Sequence, residues 1–372
     1  MKNIIFGITS LDTGGAERTL IDIANSLCDE YNIIIFTVYN SGDLEHVLSP
    51  KVQVLSLFKN KYSDYPRWKQ VYCSLYLQLF KKSIYHKHIH GYDVEIAFLE
   101  GPVTTLFRLR HKNNRDVKKI AWIHTNIAEI FGHGLISSIK KVINKKSYSK
   151  YDKLIFVSNN SLESFNKSYK IPVAKKVIHN YINANDIIEK SQEEIDFKFS
   201  NNSINFLSVS RFVTAKGIDR LIKVHSKLIN DGFAHKIYII GYGPLENKLK
   251  NLIANLNVQN TFILLGKKDN PFPYMKMCDC FLLTSHFEGL PIVLTEAKIL
   301  NKYILATESA SNESLSDYNY KKIVDNSETA IYNGLKELIL TGKKTLKAES
   351  GSYVCNSKEI LNEIKNILEE NG

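Results

Sequence analysis

Short uninterrupted apolar runs alternate with amphipathic stretches along almost the whole of this 372-residue chain. In the first half the runs cover 3–8, 33–38, 52–57, 94–99, 119–123, 153–157 and 176–178, with helical patterns at 16–28, 65–89, 135–150 and 158–168. The second half repeats the scheme, with runs at 204–209, 236–240, 261–265, 279–284, 303–306 and 322–324. Helical patterns there fall at 217–231, 244–255, 292–300, 328–341 and 357–370. Strands buried on both faces read as continuous apolar runs, and their alternation with helices predicts parallel βαβ units. The length suits two such domains. We expect two doubly wound, Rossmann-like α/β domains facing across a cleft: 1–182, then 183–355, with 356–372 a terminal helix packing back on the first. The polar stretch 183–203 marks the seam.

Composition narrows the class. At 44% hydrophobic and 23% charged, the chain is globular rather than disordered. Five scattered cysteines, Cys28, Cys73, Cys278, Cys280 and Cys355, give neither a disulfide framework nor a zinc spacing, so a reducing cytoplasm is expected and no metal site. The opening MKNIIFGITSLD is too short an apolar run for a signal peptide, and no stretch reaches the ~18 apolar residues of a spanning helix. The net charge is +11, yet residues 1–180 hold 26 Lys and Arg against 15 Asp and Glu, and the remainder is balanced. All surplus positive charge therefore belongs to the first half.

In doubly wound sheets, ligands bind beyond the carboxyl ends of the strands. Three strand-following loops carry chemistry. Ser10–Arg18 holds Gly14 and Gly15 at the start of a helix, where free N–H groups favour an anion; a tight turn is the plainer explanation. It is not the G-x-G-x-x-G of a nicotinamide site. Ser210–Gly217 places Arg211 and Lys216 in one loop, a planar fork and a point charge able to converge on one anionic group. Ser285–Ala297 contains Glu288, Gly289, Leu290, Pro291 and Ile292, with Pro291 suited to a first helical turn and Glu296 about two turns on. Helix geometry separates Glu288 from Glu296 by on the order of 10 Å. That exceeds the ~5 Å of a nucleophile-plus-acid pair and suits two acceptors gripping hydroxyls on two sugars.

Taken in order, Gly14-Gly15-Ala16-Glu17-Arg18, Trp122-Ile123-His124, Arg211…Lys216-Gly217 and Glu288-Gly289-Leu290-Pro291…Glu296 resemble the retaining group 1 glycosyltransferases of the GT-B fold, over nearly the whole chain. The segment from Glu288 to Glu296 is the most specific element. The resemblance implies a nucleotide-diphosphate sugar held by the second domain, an acceptor held by the first, and no cofactor or metal. It implies that Arg211 and Lys216 hold the diphosphate with help from Gly14 and Gly15, and that Glu288 binds donor-sugar hydroxyls. Glu296 would accept from the ribose, amides of Gly289–Ile292 would face phosphate and sugar, and His124 would lie at the reacting sugar. Gly241, in Gly241-Tyr242-Gly243-Pro244, matches a family loop near the base. Two places depart from the family: 307–313 has no glycine where family members often do, and Tyr181 stands where glycine is common. The donor expected is a UDP-linked hexose or N-acetylhexosamine.

The basic half has its own pattern. Trp68, Tyr72, Leu75, Tyr76, Leu79 and Phe80 recur at helical spacing, flanked by Arg67, Lys69, Lys81 and Lys82; Lys140, Lys141, Lys145, Lys146 and Lys150 form a second cluster. Such a stripe is either core with a wet basic face or a surface for an anionic bilayer. Without a nucleic-acid motif, nucleic acid is not expected. A lipid-linked glycan acceptor, of the kind used for capsule, exopolysaccharide or O-antigen, would unite basic half and transfer site at the inner face of the plasma membrane. Alternatives are a nucleotide-sugar epimerase of the same fold, which calls for more acid–base side chains, and a non-catalytic partner of an active transferase, which calls for loss of Lys216 and Glu288.

Overall fold

The computed structural model describes residues 1–12, 14–40, 42, 44–110, 116–125, 144–308, 311–347 and 353–370. The chain divides into two compact units, 1–182 with 357–372, and 183–356.

In the first unit, seven strands form one parallel sheet in the order β3-β2-β1-β4-β5-β6-β7. They are β1 (Asn3–Ile8), β2 (Asn32–Tyr39), β3 (Gln53–Phe58), β4 (Val94–Ala97), β5 (Lys118–Ile123), β6 (Lys153–Phe156) and β7 (Ala174–Val177). The central strands are buried along nearly their full length, as uninterrupted apolar runs require. One face packs Phe36, Phe107, Ala121, Phe156 and Phe165 together. Within this sheet Lys119 and Glu95, both fully buried, form an ion pair. Tyr85 Oη donates to Glu95 at 3.0 Å, and Lys119 Nζ also donates to the Phe107 carbonyl at 2.8 Å. Such a pair endures because every polar atom is answered; removal of one partner strands a buried charge.

The second unit is a six-stranded parallel sheet, β10-β9-β8-β11-β12-β13. Its strands are β8 (Ile204–Val209), β9 (His235–Ile240), β10 (Phe262–Gly266), β11 (Cys280–Leu283), β12 (Tyr303–Thr307) and β13 (Lys321–Val324). The helix Ile218–Asn230 presents Leu221, Ile222 and Leu228 to this core. In both sheets the chain starts in the middle, winds to one edge, then returns to wind the other way. The reversal falls between β1 and β4, and again between β8 and β11.

Three sequence expectations need correction. The single helix over 65–89 is two, α2 (Arg67–Leu79) and α3 (Lys81–His88), interrupted at Phe80. Its inward residues Cys73, Leu77 and Ile84 keep a spacing of four and seven, which conceals the interruption from any periodicity argument. The seam is not all linker. Asn183 caps a helix, Ala184–Lys190, by accepting from Asp186 N, and that helix packs on Phe272–Met277 and Ile292–Ile299. Pro291 precedes the helix Ile292–Ile299 rather than occupying its first turn. Of the second basic cluster, Lys140 and Lys141 lie outside the described residues.

The last helix, Ser357–Glu369, belongs with the first unit, to which it offers Ile364, Ile367 and Leu368. Lysines gather at its carboxyl end. Lys118 Nζ donates to the Ile367 and Glu370 carbonyls at 2.6 and 2.9 Å, Lys2 Nζ to the Leu368 carbonyl at 3.1 Å, and Lys153 pairs with Glu370. Cations there answer both the unpaired carbonyls and the helix dipole.

Candidate active site

The second unit's reversal point brings together the loops after β8 and β11. The two strands are neighbours, Cys280 beside Phe206 and Phe281 beside Leu207. Beyond them the loops are tied: His286 N donates to the Ala215 carbonyl at 2.7 Å. Gly217 ends the first loop at φ +62°, and a Cβ there would stand 2.4 Å from the Thr284 carbonyl oxygen. Only glycine satisfies both demands.

Across this junction Lys216 Nζ meets Glu288 Oε1 at 2.5 Å, and Ser285 Oγ donates to the same oxygen at 2.6 Å. The side chains keep 22% and 14% of their exposure, so the pair is shielded yet reachable. An ammonium carries three donors, and Glu288 does not exhaust them. Arg211, at the start of the same loop, is exposed. Gly289 and Leu290 are half-buried, Pro291 and Ile292 are buried, and Glu296 lies half-buried on the following helix. The helix Ile292–Ile299 has no side-chain cap at its amino end. Gly241 is explained by packing: at φ +147°, its missing side chain lets the β9 loop press on the Ser210 carbonyl, 1.9 Å from where a Cβ would be.

The first unit's reversal point, between β1 and β4, and the adjoining exit of β5 are built differently. Helix α1 (Gly15–Leu27) follows β1 with Gly14 as its cap residue and no capping side chain, so its first N–H groups have no side-chain acceptor from the cap. Gly14 is in the extended region at φ −152°, which asks nothing special of a glycine. His124 leaves β5 buried, its ring 4.7 Å from that of Phe98 and stacked near Trp122 at 6.5 Å. The ring bonds the Phe98 backbone while Nε2 is buried without a partner among the described residues. The proton therefore sits on Nδ1 and Nε2 is left as an acceptor. Burial pushes the ring's pKa down to about 3, so the imidazole is neutral at any ordinary pH.

Glu100 escaped the sequence reading. Placed after β4, its Oε1 accepts from His124 N, Thr125 N and Thr125 Oγ1, each at 2.8 Å. Oε2 is buried without a partner among the described residues, and burial raises the carboxyl's pKa. The signal was available, because Glu100-Gly101-Pro102 is itself a strand-following loop that opens a helix. Arg220 was also missed, although an arginine on the apolar face of a helix is a sequence anomaly.

Comparison with known proteins fits this geometry. The family described as glycosyl transferases group 1 matches residues 189–350, and glycosyltransferase family 4 matches residues 13–186. An uncharacterized glycosyltransferase of Methanocaldococcus jannaschii is 31% identical over 226 residues, 59% of this chain and 54% of that protein. The chain is 26% identical, over 91% of its length and 90% of the relative's, to a Campylobacter jejuni enzyme. That enzyme is named N-acetylgalactosamine-N,N'-diacetylbacillosaminyl-diphospho-undecaprenol 4-alpha-N-acetylgalactosaminyltransferase. The Anabaena protein HepE, solved with UDP and glucose, superposes with a TM-score of 0.74 at 17% identity over 99% of both chains, a likeness of fold. With two parallel sheets reversing at their centres, this chain has the GT-B fold, its first unit similar to glycosyltransferase family 4 and its second to the group 1 glycosyl transferases.

Proposed function

We infer that the protein is a retaining, metal-independent glycosyltransferase that moves a hexose or N-acetylhexosamine from a UDP-sugar to a lipid-linked glycan during surface-polysaccharide synthesis. The observation that carries the reading is the Lys216–Glu288 pair held across the β8/β11 reversal point, with Arg211 in the same loop. The UDP in the HepE structure and the diphospho-undecaprenol in the Campylobacter enzyme's name support the donor and acceptor classes.

The chemistry follows from charge. As the bond from the sugar's anomeric carbon to the phosphate oxygen breaks, negative charge grows on the departing diphosphate. Lys216 and Arg211 neutralise it, a kind of stabilisation often worth a factor of about 100–1000 per group. Glu288 grips donor-sugar hydroxyls through the oxygens that Lys216 and Ser285 orient. The acceptor oxygen bonds to the anomeric carbon on the face the diphosphate leaves, and its proton passes to a phosphate oxygen. Neutral His124 accepts a hydrogen bond from a sugar hydroxyl. Glu296 holds the ribose, and amides near Gly14, Gly15 and Gly289–Ile292 assist at the phosphates, with Gly241 beside the base.

The first unit supplies the acceptor side and a membrane face. Most of the apolar stripe is not core: Trp68, Tyr72, Leu75 and Leu79 are 71%, 54%, 51% and 75% exposed, while Tyr76 packs against the core and Cys73 and Leu77 face inward. Residues 59–90 carry seven Lys and Arg against one Asp. Such a surface suits peripheral attachment to an anionic bilayer at the cytoplasmic side, at roughly 1 kcal/mol per well-placed cation. Among the described residues no helix is long and apolar enough to cross a membrane.

A panel of nucleotide sugars, read by thermal shift and by donor hydrolysis with and without EDTA, tests the transfer half; stabilisation by none of them would end it. Co-sedimentation with phosphatidylglycerol vesicles at low salt tests the membrane half. Binding there that is lost on Trp68→Ser with Leu79→Ser is expected, and equal recovery with neutral vesicles or none would refute it.

A further inference from the structure

Arg220 lies on the helix Ile218–Asn230, 5% exposed, beneath the loop that carries Glu288. Its guanidinium is spent on that loop. Nε and Nη2 donate to the Thr284 carbonyl at 3.1 and 2.6 Å, and Nη2 also donates to the Ser285 carbonyl at 3.0 Å. On its outer side, Nη2 donates to Asn326 Oδ1 at 2.6 Å. Asn326 turns back to the loop, its Nδ2 donating to the His286 carbonyl at 2.7 Å. From β12, Thr307 Oγ1 donates to the Ser285 carbonyl at 2.8 Å. Three successive carbonyls at the exit of β11 are thus held by side chains from three other elements. A trans peptide sets each N–H opposite its carbonyl, so the N–H directions of Ser285, His286 and Phe287 are fixed as well.

The chain of contacts ends at the carboxylate. Ser285, whose backbone Arg220 and Thr307 hold, is the residue whose hydroxyl bonds Glu288 Oε1. A buried guanidinium needs all this satisfaction to be tolerated, and an apolar side chain would fill the same space more cheaply. We propose that Arg220 and Asn326 are positioning residues for the transfer, a clamp that fixes the 284–286 backbone and through Ser285 sets the orientation of the Glu288 carboxylate. The proposal rests on the reading of Glu288 as the donor-sugar grip.

The test uses the full chain with Asn326→Ala, Asn326→Asp and Arg220→Lys. Asn326 is exposed, so its variants should fold and melt within about 2 °C of the parent. A displacement of the carboxylate by a fraction of an ångström lowers kcat on the nucleotide sugar by about tenfold in Asn326→Ala, and by up to about a hundredfold in Arg220→Lys. Donor KM should stay within about twofold, and Asn326→Asp, which keeps the acceptor for Arg220 but loses the donor to the His286 carbonyl, should recover only part of kcat. Hydrogen exchange of the 284–290 peptide should quicken in Asn326→Ala and Arg220→Lys while the core strands keep their protection. Parental kcat in both variants, or unaltered exchange in that peptide, would overturn the clamp. A parent that turns over no nucleotide sugar would instead strike at the proposed function, and the exchange experiment would still decide whether the clamp holds the loop.

Discussion

The exits of β8 and β11 correspond in the first sheet to those of β1 and β4, with β5 next to β4, yet the two places hold opposite kinds of chemistry. In the second unit, full charges meet at a partly open junction: Lys216 on Glu288, with Arg211 nearby in sequence and exposed. In the first, His124 is sunk among aromatic rings beside buried Glu100, and among the described residues one nitrogen and one carboxylate oxygen have no partner. A charged junction suits an anionic diphosphate, whose desolvation it offsets with a matching field. A dry site with spare hydrogen-bonding atoms suits a neutral hydroxyl, because buried polar atoms left single call for a partner. Fold alone therefore does not distinguish the two places; the side chains beyond the strands do.

The difference extends below the reversal points. The first unit buries the Lys119–Glu95 ion pair, whereas the second buries two imidazoles, His225 Nδ1 with His235 Nε2 at 2.8 Å and His225 Nε2 with Thr261 Oγ1 at 2.9 Å. Burial pushes their pKa values down to about 3 and about 4.

Breaking the contrast at its strongest point should have the largest effect. Glu288→Ala should lower transfer by about a thousandfold while donor binding, followed by thermal shift, weakens only modestly. Turnover near the parental rate would remove Glu288 from the site. Next in size is acid sensitivity. Unfolded histidines titrate near 6.5, and the folded pair resists protonation down to about 4, so their contribution to stability is complete above 6.5 and is lost as pH falls. Chemical denaturation at pH 5 should show the second unit weakened by on the order of 3 kcal/mol relative to pH 7. The first unit, where burial also pushes His124 and, less strongly, His88 below the ordinary value, should lose stability too but by less than the histidine pair costs the second, and equal losses would erase the contrast. Gly217→Ala is milder, about 1–3 kcal/mol in denaturant midpoint, since it strains a left-handed residue against the Thr284 carbonyl. The smallest effect expected is none at all. Neutral His124 should contribute no inflection between pH 5 and 8, so the profile of kcat/KM in His124→Asn should keep the parental shape at a lower level. A parental inflection near 6.5 that vanishes in the variant would show that this ring titrates.

Much of the architecture was legible. All thirteen expected strands have counterparts in the structure, most displaced by a residue or two at an end, because apolar runs between turns report burial on both faces directly. Helices of six or seven residues, such as Pro102–Phe107 and Ala184–Lys190, were not, since so few turns cannot establish a period. Within the candidate site, the loop residues Lys216 and Glu288 announced themselves by position after a strand. Arg220, Asn326 and Glu100 did not: the first looks like a flaw in an apolar face, the second like an ordinary exposed loop residue, and the third like a chance acid. Their meaning lies in which carbonyl or amide they reach, and no local pattern encodes that.

By itself, the sequence determined that two parallel, doubly wound sheets must form, because the order of buried runs and amphipathic helices leaves little other topology open. It also determined which loops follow the strands, and hence where cations and acids can gather. The tertiary structure alone decided that Lys216 pairs with Glu288, that most of the α2 stripe faces outward, and that His124 is dry and neutral. Those outcomes depend on distances between residues far apart in the chain, and the burial and field that set them exist only once the sheets are closed.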